Sequence, residues 1–277
     1  MLRELFYING NVQEAGGSGG DSLLIILSEH LLSIIIYNPQ ARSVNSWRMA
    51  ELPTDILNLE DAVRGYLSNN ISLHSINGRV DVVAVTGRQS IIPLSLYNEQ
   101  DLSLFAHLQF PSGKEDQLLS DRDEQSGTAV LYSLSHSALS AIGKYFSSVN
   151  ITHLFHHYLK KHASGDPVIT VHILPSSCIV TVQHRQKWQL LQSYQYRSGE
   201  DVLYVVLKAI DQLGIDPAEA QVYVNGLVDR KSALAQLLEQ YLSNVEWGSD
   251  QVFQYPDAEG FDKHSFSFID SILTCVS

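Results

Sequence analysis

Two stretches of the chain repeat one pattern, and this repeat limits the folds that the sequence can adopt. Residues 23–52 and 168–196 each contain two apolar runs, a short polar turn between them, and a third run with a tryptophan. Short runs rich in β-branched residues and bounded by turn residues are typical of β-strands. Each stretch therefore predicts a three-stranded antiparallel meander.

The segments that follow the two meanders also correspond in order and spacing. An amphipathic helix with an acidic pair at its start is predicted at residues 57–70, with Asn58 as its N-cap, and again at residues 198–214. An apolar strand ending in glycine follows each helix, at Gly87 and at Gly226. The glycines are 139 residues apart and the meanders 145 residues apart, so the two halves keep nearly the same spacing.

Each half then continues with a second helix, a last strand and a third helix. These are predicted at 98–110, 128–135 and 136–148 in the first half and at 229–242, 247–255 and 263–276 in the second. The unit βββαβαβα is thus used twice, which predicts an α/β fold with tandem lobes at residues 1–165 and 166–277. Residues 13–22, rich in Gly and Ser, predict a flexible N-terminal segment, and the acidic residues 111–127 predict a surface loop.

Two βββαβαβα lobes in tandem resemble the actin-like ATPase fold, which is a duplicated ribonuclease H-like sheet. The stretches LLIILSEHLLSIIIYN from residue 23, QSIIPLSLYNEQD from residue 89 and FSFIDSILTCV from residue 266 are also similar to an uncharacterised bacterial family, a domain of unknown function with this fold. The resemblance covers most of the chain from Leu23. It implies the fold but no established activity.

The resemblance also implies where a nucleotide would bind, which is in the cleft between the lobes. In this fold the first hairpin turn of each lobe surrounds the phosphates, and glycine lets backbone N–H groups approach them while Asp holds magnesium. The two turns here, residues 28–30 (SEH) and 174–177 (LPSS), contain neither glycine nor Asp. The pattern favours a degenerate nucleotide site and turns that only reverse the chain.

Five residues remain weak candidates for nucleotide contacts: Glu29, Ser176, Ser177, Asn225 and Gly226. They lie in the two turns and after the strand whose glycine would lie under adenine in this fold. Glu29 is also a candidate metal ligand, but carboxylates in turns are usually solvated. We therefore expect no cofactor and no catalytic residue.

The histidines of residues 151–162 (ITHLFHHYLKKH) offer a second chemical interpretation. His153 and His157 are predicted at positions i and i+4 of a helix, a spacing at which two imidazoles can share zinc. A third ligand is missing, because His156 points elsewhere on the helix and His162 lies five residues beyond His157. The pattern favours a solvated helix face over a metal-dependent hydrolase, and no metal is expected.

Charge and cysteine content argue against several other classes. The chain has 18 Lys and Arg against 30 Asp and Glu, a net charge of −12, and no basic cluster, so nucleic acid is not an expected partner. The two cysteines form no Cys-x-x-Cys pair, and no apolar run is long enough for a signal peptide or a membrane span. We expect a cytoplasmic protein without a membrane span.

The interpretation that remains is a non-catalytic scaffold or protein-binding module of actin-like fold. The alternative is a divergent nucleotide-binding protein or ATPase that uses the cleft between the lobes. Trp47 and Trp188 occupy comparable places in the two meanders, where they are expected to pack in the core or, if exposed, to anchor a protein partner. The sequence does not identify that partner.

Overall fold

The structure is a computed structural model that describes residues 2–9, 20–52, 59–71, 76–110, 116–160, 167–185, 187–248, 251–256 and 261–277. Parts of several sequence predictions fall outside the described residues: residues 13–19 of the predicted flexible segment, Asn58, residues 111–115 of the predicted surface loop, and His162. The chain divides into two compact units. The first contains Met1–His157, Phe253–Asp257 and Val276–Ser277, and the second contains Tyr158–Val252 and Ala258–Cys275.

The first half of the chain contains nine described strands and four described α-helices. In chain order these are β1 (Arg3–Asn9), β2 (Asp21–Leu27), β3 (Leu31–Asn38), β4 (Ser43–Glu51), α1 (Leu59–Asn70), β5 (Ile76–Ala84), β6 (Gln89–Pro93), α2 (Leu102–Gln109), β7 (Asp116–Asp123), β8 (Thr128–Ser135), α3 (His136–Tyr145), β9 (Asn150–His153) and α4 (Leu154–Leu159).

Six of these strands form a mixed sheet in the order β1-β4-β3-β2-β5-β9. Neighbours from β1 to β2 are antiparallel, whereas β5 is parallel to β2 and β9 is parallel to β5. Every residue of β2 after Asp21 is buried, as expected for a continuous apolar run in a sheet covered on both faces. Helices α1 and α3 are joined by Lys144, which pairs with Glu60, and by the Tyr145 hydroxyl, which donates to the Ile71 carbonyl.

A three-stranded antiparallel sheet, in the order β6-β8-β7, lies between β5 and α3 in the sequence. Helix α2 packs on it through Ala106 and Phe110, which cluster with Leu131 of β8. The surface loop predicted at residues 111–127 is therefore wrong for residues 116–123, which form β7. Pairing with the apolar strand β8 holds this polar segment extended, because tertiary pairing overrides weak strand propensity.

The second half of the chain has the predicted element order βββαβαβα. Its elements are β10 (Val168–Ile173), β11 (Ser177–His184), β12 (Lys187–Gln195), α5 (Gly199–Gln212), β13 (Gln221–Gly226), α6 (Ala233–Tyr241), β14 (Asn244–Trp247) and α7 (Lys263–Val276). The sheet order is β12-β11-β10-β13-β14, which repeats the order β4-β3-β2-β5-β9 of the first sheet.

The start of α5 shows why this helix was predictable. The Asp201 carboxylate accepts hydrogen bonds from the backbone N–H groups of Arg197 (2.8 Å) and Ser198 (3.1 Å). These bonds satisfy donors at the end of the helix, and they hold the pKa of Asp201 below its usual range. The acidic pair that marked the helix in the sequence therefore has a direct role in capping.

Three elements differ from the predictions. Residues 128–135 belong to the inserted sheet, and the last strand of the six-stranded sheet is β9, whose four residues Asn-Ile-Thr-His lack an apolar run. Strand β1 lies in the segment where no strand was predicted, because its residues alternate poorly in polarity. The last strand, predicted at residues 247–255, is β14 and ends at Trp247.

Candidate functional site

The carboxyl ends of β2, β5 and β9 meet at one edge of the first sheet, here called the carboxyl edge. Leu27 is the register partner of Ala84, and Ala84 is the register partner of His153. The turn at residues 28–30, the loop after β5 and His153 therefore lie at this edge. In α/β proteins the carboxyl ends of parallel strands are the usual place for ligands.

Glu29 ties the first hairpin turn to the loop after β5. Its Oε1 accepts hydrogen bonds from the Thr86 hydroxyl and from the Gly87 backbone N–H, the latter at 3.0 Å. The Nε of Arg88 lies 3.8 Å from the same oxygen, and another guanidinium nitrogen of Arg88 pairs with Asp116 of β7. Two carboxylates therefore flank Arg88.

Two backbone N–H donors of the turn are used within the hairpin. The Ser28 N–H donates to the Leu31 carbonyl at 2.9 Å, and the His30 N–H donates to the Ser28 hydroxyl oxygen at 3.3 Å. The Leu52 N–H donates to the His30 carbonyl at 2.9 Å. A phosphate nest needs backbone N–H groups that point at the ligand, and in this turn two of them point at the protein.

The corresponding turn of the second unit is also closed by its own hydrogen bonds. The Leu174 N–H donates to the Ser177 carbonyl at 2.8 Å, and the Tyr196 N–H donates to the Ser176 carbonyl at 3.3 Å. The Tyr196 hydroxyl donates to the Leu174 carbonyl at 2.7 Å. Pro175 has no N–H group to offer. These bonds give the turn a structural role in the second sheet.

Gly226 ends β13 in a conformation that only glycine adopts easily. Its φ is +95°, and a Cβ atom at this position would lie 2.2 Å from the Ile173 carbonyl oxygen. That same oxygen accepts a hydrogen bond from the Leu227 N–H at 2.8 Å. The close approach of two strands thus accounts for the glycine without any adenine ring.

Asn225, the neighbour of Gly226, is enclosed by the protein and 7% exposed. A Cβ atom on Gly248 would lie 1.8 Å from its Oδ1 atom. Asn225 and Gly226 pair in register with the last two residues of β10, and Ser176 and Ser177 follow that strand. Four of the five candidates therefore lie at one end of the second sheet, whereas Glu29 belongs to the first unit.

The histidine stretch differs from the prediction in both conformation and burial. His153 is the last residue of a strand rather than part of a helix, and α4 starts at Leu154. His153, His156 and His157 are all buried, so the predicted solvated face is wrong. Within the described parts of the chain, no group of three or more His, Cys, Asp or Glu side chains is placed to hold a metal ion.

His153 is held as a neutral imidazole at the carboxyl edge. Its Nδ1 accepts a hydrogen bond from the Phe155 N–H at 3.1 Å, and its ring contacts Tyr132 with centroids 5.0 Å apart. Its own backbone N–H donates to the carboxylate of Asp121 in β7. Burial lowers the pKa of His153 to about 3. The residue joins the inserted sheet to β9 without carrying charge.

The two tryptophans are not at matching places. Trp47 lies in the middle of β4, is 2% exposed and donates from Nε1 to the Ser33 hydroxyl at 2.7 Å. Trp188 is the second residue of β12, partly exposed, and stacks on Tyr158 with centroids 6.2 Å apart. Trp47 is a core residue, so the two side chains cannot form a matched pair of partner anchors.

Sequence reasoning missed Thr86, Arg88, Asp116 and Asp121, which complete the carboxyl edge. Thr86 and Arg88 directly follow an apolar strand, and polar residues at that place were the signal available. Nothing in the spacing of Asp116 or Asp121 indicated that β7 would bring them to the same edge.

The architecture described above is shared with solved structures of one fold class. A protein from Bacteroides thetaiotaomicron with an actin-like ATPase fold and unknown function has a crystal structure similar to this chain, with a TM-score of 0.71, 17% identity, and coverage of 93% of this chain and 97% of that chain. A chain of the PilM–PilN type IV pilus biogenesis complex is similar with a TM-score of 0.51, 11% identity, and coverage of 91% and 97%. The predicted α/β fold with two ribonuclease H-like lobes of actin-like ATPase type is confirmed.

The family follows from the sequence. Residues 14–245 match the model described as "Protein of unknown function (DUF3822)", and the chain belongs to this family. The resemblance to a domain-of-unknown-function family with an actin-like fold is therefore confirmed. No curated protein is significantly similar to the chain.

Among the helices in the described parts of the chain, none combines the length and the apolar character needed to cross a membrane.

Proposed function

We propose that this chain is a protein-binding module of actin-like fold that does not use ATP. The observation that carries the proposal is the network of Glu29, Thr86, Arg88 and Asp116 at the carboxyl edge. It engages the carboxylate of the first turn and flanks Arg88 with two negative groups. Phosphate binding needs the opposite arrangement, with donors and cations directed at the ligand.

Charge balance supports the same proposal. An ATP site has to neutralise about four phosphate charges with magnesium, backbone donors and usually a cation. The chain itself carries a formal charge of −12, so its own field opposes an anionic ligand. The hydroxyls of Ser176 and Ser177 are neutral donors and do not replace the missing cation.

A role in a protein complex is compatible with this fold. A chain of the PilM–PilN complex shares it at a TM-score of 0.51, although an identity of 11% carries no information about shared partners. A cytoplasmic location and a lobe boundary near residue 165 belong to the same proposal, and both rest on the sequence patterns.

The proposal is tested by isolating the chain from the cell that produces it. We expect a tagged full-length chain to elute with one other protein in a fixed ratio after mild crosslinking, with the mass of the complex measured by native mass spectrometry. The complex should form equally with and without magnesium-ATP, because no nucleotide site contributes to it. A chain that elutes alone, or a complex that requires ATP, would contradict the proposal.

A further inference from the structure

Strand β1 is an open edge of the first sheet. Among the described strands it pairs with β4 alone, so one side of its backbone faces away from the sheet. Leu5 and Tyr7 on this strand are 37% and 43% exposed. An edge strand with exposed apolar side chains is a template for pairing with another extended segment.

A groove of about 440 Å³ lies between β1 and α1. Leu2 of the N-terminal segment, with Ala62 and Tyr66 of α1, gives it apolar walls, and Glu4 and Asp61 add two carboxylates. Its volume is in the range of pockets that hold ligand groups. The groove is therefore large enough to take a long side chain from a segment paired with β1.

The charges of the groove determine which kind of side chain it can bind from a partner segment. No lysine or arginine is among the described residues that line it. Glu4 is paired with Arg48 at 2.8 Å, but Asp61 has a side chain that is 74% exposed and pairs with Arg64 on its own helix, whose side chain is 54% exposed. Such an exposed pair contributes little, so Asp61 remains able to bind a second cation at the mouth of the groove.

We propose that β1 and this groove bind an extended segment of a partner protein that places a lysine or arginine between apolar residues. The segment adds a strand to β1, the aliphatic stem of the basic residue packs on Tyr66, and its charged end meets Asp61. This inference rests on the proposed protein-binding function and assigns it a surface.

The test uses a defined probe, the blocked peptide TVTKTVT, in which valine, lysine and valine share one face of an extended strand. Titration of the full-length, isotope-labelled chain should shift backbone amide resonances of β1 and α1. The peptide TVTETVT should bind about tenfold more weakly, because a glutamate meets the carboxylates of the groove. Increasing salt should reduce this difference.

Charge reversal provides the matched variant. Asp61→Lys should invert the preference, so that TVTETVT binds more tightly than TVTKTVT. Asp211→Lys changes the net charge equally, lies on the exposed side of α5 in the second unit, and should leave the preference unchanged. Circular dichroism of both variants checks that the fold is retained.

Three results would overturn the inference: equal binding of the two peptides, shifts confined to other elements, or no shift up to millimolar peptide. Shifts of β1 that depend on protein concentration without peptide would assign the edge to a second copy of the chain instead. If the peptide tests fail while a stoichiometric partner is still isolated from cells, the partner binds another surface of the chain. The proposed function is then unaffected.

Discussion

Replacement of Gly226 by alanine should lower the free energy of unfolding of the second unit by about 3 kcal/mol or more. A residue with a Cβ atom at positive φ costs on the order of 1–3 kcal/mol, and here φ is +95°. The new Cβ atom would also lie 2.2 Å from the Ile173 carbonyl oxygen, which forces β10 and β13 apart. Urea unfolding followed by circular dichroism measures the change.

The control for this prediction is Gly143→Ala. Gly143 lies within α3, and no atom lies within 4 Å of the position of an added Cβ, so alanine should stabilise the chain by roughly 0.5–1 kcal/mol. A Gly226→Ala protein as stable as the original would disprove the close approach of the two strands. Because Gly226 is required by packing, its substitution does not report on nucleotide binding.

Acidification from pH 6 to pH 4.5 should destabilise the first unit through His153. Burial lowers the pKa of this histidine to about 3, whereas in the unfolded chain it is about 6.5. The unfolded chain therefore binds one proton more than the folded chain in this interval. The stabilising contribution is complete above about pH 6.5 and is lost as the pH falls towards 3, at about 1.4 kcal/mol per pH unit.

The histidine is tested by comparison of three proteins across this pH interval. His153→Asn keeps an acceptor near the Phe155 N–H but cannot titrate, so its stability should fall by about 2 kcal/mol less than that of the original chain. His136→Asn removes an exposed histidine and should leave the slope unchanged. His156 and His157, which lie beside His153, are present in all three proteins. Equal slopes in all three would contradict a buried neutral His153.

The parts of the fold that were predictable are those where local sequence already has the pattern of the final structure. The apolar runs of β2, β3, β10 and β11 are buried almost without interruption, and such runs between turn residues indicate strands directly. The helix α5 likewise shows its amphipathic face and its acidic cap in the sequence. The element order of the second unit could therefore be predicted from these signals.

The parts that were not predictable depend on pairing between distant residues. Strand β9 has four residues and is extended because β5 lies beside it, and β7 is extended because β8 does. In both cases the chain adopts the strand to satisfy backbone hydrogen bonds. A single sequence contains no local signal for such a neighbour.

The candidate site was equally difficult to predict, because its contacts also join distant parts of the chain. Glu29 was identifiable as a turn carboxylate, but its partners Thr86 and Arg88 lie 57 and 59 residues further along the chain. The sequence indicated a solvated side chain, whereas in the structure the carboxylate joins the turn to the loop after β5, and Arg88 of that loop pairs with Asp116 of the inserted sheet. The burial of His153 could not be predicted for the same reason, since it depends on contacts with Tyr132 and Asp121.

The most direct measurement of the central claim is a calorimetric titration of the full-length chain with magnesium-ATP, accompanied by a phosphate-release assay. We expect no saturable heat and no phosphate above the background, because the N–H groups of Ser28, His30 and Leu174 donate within the protein and Arg88 lies between two carboxylates. Glu124→Ala, a turn carboxylate between β7 and β8, serves as the control for Glu29→Ala. A dissociation constant in the low micromolar range that is lost in Glu29→Ala and kept in Glu124→Ala would contradict the proposal and establish a nucleotide-binding protein.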